Sequence, residues 1–145
     1  MRVCLLYPRS HFFSGRFDMP VHHIVEPDLR LLLINLIGIV TNNDLIECQA
    51  KLMSNPLFEG NFDRLVDASD AITFDVTQDV VRAVAKAAVE GSMKRAALVG
   101  TSDCIYGLMR MYEFYAIGAE VSVFRSLGDA YHWLMTARDS EPVIG

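Results

Sequence analysis

The chain has 145 residues, 52% hydrophobic and 21% charged, with a formal net charge of −5 and a mean hydropathy of +0.25. That length fits one domain able to bury a core without staples, and the acidic balance excludes a general nucleic-acid binder, which would carry a basic stripe. Cys4, Cys48 and Cys104 are widely spaced and odd in number, which excludes a disulfide framework or a zinc site and points to a reducing, cytoplasmic setting.

Residues 1–18 carry Arg2, Arg9 and Arg16 among Phe12, Phe13 and Phe17 without a clear period. They read as an N-terminal extension, so that the domain spans 19–140 and 141–145 is a tail. The apolar run from Leu31 to Val40 is broken by Asn35 and Gly38, so no membrane span is expected. Val21 to Glu26 is a short strand. Pro27-Asp28 is a turn, and Arg30 to Ile37 is a strand buried on both faces and ended by Gly38. Thr41 and Asp44 form a capping box, opening a helix with Leu45, Cys48, Gln49 and Leu52 inward.

"SNPLFEGN" breaks that helix, and Phe62 to Ala68 is the next strand. "DASDAITFD" reads as a loop whose aspartates lack a ligand spacing. The spacing predicts a helix over Thr77–Glu90, burying Val80, Val84, Ala87 and Ala88, ended by Gly91. Lys94 to Gly100 is a strand. A helix from Asp103 to about Ile117 should turn Cys104, Leu108, Met111, Tyr112 and Tyr115 inward, leaving Tyr106, Arg110 and Glu113 opposite, flanked by Met109 and Ile117. Cys104 then reads as a small buried hydrophobe. Gly107 in mid-helix points to close approach there by a neighbouring element or a ligand. Ala119 to Arg125 is a strand, and a last helix capped by Ser126 and Asp129 buries Ala130, Trp133, Leu134 and Ala137. The order β-β-α-β-α-β-α-β-α makes an α/β fold: a mixed, mostly parallel sheet with an N-terminal antiparallel hairpin, flanked by helices.

In such sheets sites lie at the strand carboxyl ends. Thr41, Thr77, Thr101, Ser102 and Ser126 stand at helix starts there, where plain capping accounts for each. His22 and His23 are adjacent in a strand and point to opposite faces, so they cannot share a metal. No nucleophile–base pair, cofactor motif or metal site is legible, and no enzymatic activity is expected. The stripe Tyr106, Arg110 and Glu113, with Thr101 and Ser102 at the helix start, is the candidate ligand or interface surface, and a homodimer is the expected assembly.

The words "GIVTNND", "RLVDASD", "RAALVG", "YGLMRMYE" and "VSVFRSLGDAYHWL", in this order from about Pro20 to Ala137, resemble the SpoIIAA-like family of small bacterial proteins, related to STAS domains. The resemblance implies a helix-flanked mixed sheet, no known catalytic activity and a regulatory role through a protein partner. Better-known relatives, anti-sigma-factor antagonists, carry a serine that is phosphorylated at the start of the helix after the third strand, in an Asp-Ser-Ser-Gly word. Here "FDVTQDVV" puts Asp75 at the aspartate and Thr77 at the phospho-acceptor position, while Val76 and Gln78 depart from the word. Similarity of such folds to lipid-binding CRAL-TRIO domains implies the alternative, a small amphipathic ligand near the strand carboxyl ends.

Overall fold

The computed structural model describes residues 20–140; the expected extension over 1–18 and the tail over 141–145 lie outside them. Val21–Glu26 (β1) is an alternating strand, half-buried on one face and exposed on the other. A 3-10 turn at Pro27–Leu29 ends on Arg30 in the left-handed region (φ 52°) and returns the chain into Leu31–Thr41 (β2). β2 pairs antiparallel with β1. Asn42–Met53 (α1) leads to Asp63–Asp75 (β3), Gln78–Glu90 (α2) to Arg95–Val99 (β4), and Asp103–Tyr115 (α3) to Glu120–Phe124 (β5). Leu127–Asp139 (α4) follows.

The sheet order is β1-β2-β3-β4-β5, with every pair after the first parallel. Successive right-handed crossovers that always step in one direction must place their helices on one face. Thus α1, α2 and α3 share a face, and α4 covers the other. The strand alternation records this division. Leu32, Ile34, Leu36, Ala96 and Leu98 join the core beneath α1–α3, whereas Leu31, Leu65, Ala97 and Val99 pack with Ala130 and Leu134 of α4. Burying a leucine as completely as Leu32 or Leu134 contributes about 1.5–3 kcal/mol.

The long β2–β3 pairing departs from the expected strand ends. Asn35 pairs with Asp67 and Ile37 with Asp70, then Gly38 with Ala71 and Ile39 with Thr73. At each step β3 carries one extra residue, so the Asp-rich segment is a twice-bulged strand rather than a loop. Asp67 Oδ1 accepts from Ser69 N (2.9 Å) at the first bulge. Gly38 does not end β2 but sits at the second bulge with φ +69°, a conformation glycine adopts without a Cβ penalty. Downstream, Ile72, Thr73 and Phe74 have the side chains that a pleated surface favours.

Two expected helix phases are corrected. In α2 the buried residues are Val81, Ala85 and Ala88, not Val80 and Ala87. In α3 they are Ile105 and Met109, and Cys104 is exposed rather than a small buried hydrophobe. Gly107 faces open space, with nothing within 4 Å of where a Cβ would stand, so no close approach requires it. Gly60 is the glycine that close packing demands, because its Cβ would fall 1.7 Å from the Gly91 carbonyl oxygen.

Candidate functional site

The residues expected at the site do not form one cluster. Thr77 and Asp75 are exposed at the β3–α2 junction. Thr77 takes the extended backbone of an N-cap, yet its side chain caps nothing. Instead Thr77 N donates to Asn42 Oδ1 (2.9 Å), and Asn42 Nδ2 donates to Thr77 Oγ1 (3.4 Å). At the start of α3, Ser102 Oγ accepts from Ile105 N at 3.2 Å. The exposed Thr101 gives its carbonyl oxygen to Arg125 Nη1 (3.3 Å), and Arg125 also pairs with Asp103 (2.8 Å) and lies 4.1 Å over the Tyr106 ring. Arg110 and Glu113 pair with each other at 3.0 Å, as their spacing predicts. Met109, expected beside this stripe, is 5% exposed and belongs to the core. Gln78, next to Thr77, donates to the hydroxyl of Tyr115, the last residue of α3, whereas Thr101 and Ser102 stand before the first turn of that helix.

The structure instead presents a cleft between the sheet and the helices. Its volume is about 110 Å³, and Ile34 and Leu36 of β2 and Leu98 of β4 form its floor. Leu45, Cys48 and Leu52 of α1 close one side, as their expected inner stripe requires, and Leu108, Met109 and Tyr112 of α3 close the other. Val81 and Val84 roof it from α2, a helix that packs chiefly on α1 and α3. The cleft lies over the sheet face and reaches Phe74 and Leu98, each one residue short of the carboxyl end of its strand. This wall has the composition of a small-molecule pocket, apolar with few polar groups.

One wall residue carries charge. Arg64 of β3 points to the α1–α3 face like Val66, lines the cleft and is 6% exposed. Its Nε is buried without a hydrogen-bond partner, and its guanidinium lies 5.5 Å from the Phe58 ring centre. Burial lowers its pKa, opposed by the nearby Tyr112 and Cys48 side chains. Burial raises both of those in turn, against the pull of Arg64. Tyr112 is half-buried, and its hydroxyl donates to Met93 Sδ at 3.8 Å. Sequence reading missed Arg64, although the alternation Phe62, Arg64, Val66, Ala68 shows one charge within an otherwise apolar stripe.

Elsewhere, His22 is exposed and His23 half-buried, the latter 3.4 Å from Asn55 Nδ2. Among the described residues no group of three His, Cys, Asp or Glu side chains could hold a metal ion, and no helix is long and apolar enough to cross a membrane.

No protein-family model matches the sequence, and no curated protein matches it. Among solved structures, an uncharacterized protein from the DUF3478 family with a SpoIIAA-like fold, from Shewanella loihica PV-4, is similar at a TM-score of 0.54 and 18% identity, over 79% of this chain and 91% of that one. With a mixed five-stranded sheet and four flanking helices among its described residues, this chain has a SpoIIAA-like fold.

Proposed function

We propose that the protein is a binding module, not an enzyme, and that it takes a small amphipathic molecule in the cleft between α1–α3 and the sheet. The observation that carries this reading is the apolar cleft itself, about 110 Å³ in volume. A space of that size suits several methylene groups or one ring. Titration with the neutral dye Nile red should give saturable fluorescence. Val84→Trp, which fills the space beneath α2, should abolish it while melting stays cooperative. Undiminished dye binding in that variant overturns the reading.

A second reading, self-association through the end of α3, draws support from Phe114 and Ile117, which are 72% and 80% exposed. Exposed apolar side chains grouped in this way favour a protein contact. Light scattering of the full chain at high micromolar concentration should give the dimer mass, and Phe114→Glu should return the monomer. A monomeric mass for the unmodified chain overturns it. A phosphate on Thr77 would stand on an exposed hydroxyl beside Asn42.

A further inference from the structure

We infer that the ligand of the cleft is an amphiphile with a carboxylate head, and that Arg64 binds that head. The inference rests on the cleft being a ligand site. Six other arginines lie among the described residues, namely Arg30, Arg82, Arg95, Arg110, Arg125 and Arg138, and each stands within ion-pair distance of a carboxylate. Arg64 is among the most buried of the seven, yet no ion pair or hydrogen bond engages it among the described residues. The Phe58 ring offers a cation–π contact, which eases the burial of the charge. A ring face does not satisfy the Nε N–H, which is buried without a hydrogen-bond partner, and a buried donor without an acceptor is costly.

The ionisable groups acting on Arg64 are Tyr112 and Cys48. Burial keeps both in their neutral forms, so neither is a counter-ion at neutral pH. Among the described residues, therefore, no anion compensates this cation in its apolar wall. That state is costly unless something of opposite charge arrives. A planar guanidinium matches the two oxygens of a carboxylate, and a single positive charge balances one negative charge. The tail would lie against Ile34, Leu36, Leu98 and Leu108, which line the same space.

The test uses octanoate and 1-octanol, which share chain length and differ in charge, titrated calorimetrically into the full chain at neutral pH. Octanoate should bind about tenfold or more tightly than octanol, as expected for a charge-assisted bidentate contact. Arg64→Met should remove that preference and leave octanol binding intact. The variant should fold, because an apolar side chain of similar length is tolerated where a buried charge was. Arg64→Lys should retain only part of the preference, since an ammonium lacks the planar fork. Equal affinity for the two probes in the unmodified chain overturns the carboxylate assignment and leaves the cleft as a neutral-ligand site. An undiminished preference in Arg64→Met overturns the role of Arg64. Binding of neither probe overturns the cleft reading and this inference with it.

Discussion

Ser102 and Thr77 occupy equivalent positions before α3 and α2, both with extended backbones, but only Ser102 accepts a bond from the first turn. Sequence makes the two look alike; the contact with Asn42 takes the Thr77 hydroxyl out of the capping role. Ser102→Ala should therefore cost about 1 kcal/mol, the usual loss for a cap, whereas Thr77→Ala should cost only a few tenths. Urea midpoints of the two variants check the difference. Gly107 lies in a regular helix with free space around it, so Gly107→Ala should stabilise by about 0.5–1 kcal/mol. A lower midpoint for that variant would mean that another body covers the position.

The phase of α3 shows why an element can be legible while its buried face is not. Cys104, Ile105, Leu108, Met109, Met111 and Tyr112 are all apolar or nearly so, so two inward stripes one residue apart are both chemically acceptable. Packing against the sheet chose the one with Ile105 and Met109. α1 carries fewer apolar choices, and its stripe of Leu45, Cys48, Gln49 and Leu52 lines the cleft as the spacing predicts. Cys48 on α1 and Tyr112 on α3 supply a pH dependence. Burial raises both pKa values above their ordinary 9.0 and 10.0, so the native state holds these protons to higher pH than the unfolded chain does. Their contribution to stability is complete below pH 9.0 and is lost as pH rises past each ordinary value toward the folded one. Urea midpoints should thus fall above about pH 9. Tyr112→Phe should flatten the decline above pH 10 without removing the part that begins near 9.

At the scale of the molecule, one charge cluster ties the strand starts to α4. Asp63 of β3 is 9% exposed and meets Arg95 of β4 at 3.0 Å. Arg138 of α4 approaches the same oxygen at 3.3 Å, as a charge contact without hydrogen-bond geometry. Arg95 also reaches Glu120 of β5 at 3.4 Å, and Arg138 donates to the Leu29 carbonyl. Removing the carboxylate leaves two guanidinium groups facing each other in a largely buried setting. Asp63→Ala should therefore cost about 3–5 kcal/mol, the range for breaking a buried pair, as measured by urea unfolding.

The order of strands and helices, the parallel sheet and the antiparallel first pair were legible in the sequence, because hydrophobic period and turn residues are local properties and crossover handedness leaves few topologies. The capping box at Thr41 was legible for the same reason: it needs only residues three apart. The bulges in β3, the rotation of α2 and α3 and the cleft were decided by tertiary structure. Each depends on which surfaces meet: β2 against β3 for the bulges, the sheet against α3 for the helix phase, and α2 resting on α1 and α3 for the roof. Arg64 shows the division most plainly. Its place in an apolar stripe can be read from the chain, but that no ion pair engages it among the described residues follows only from where their other charges have gone.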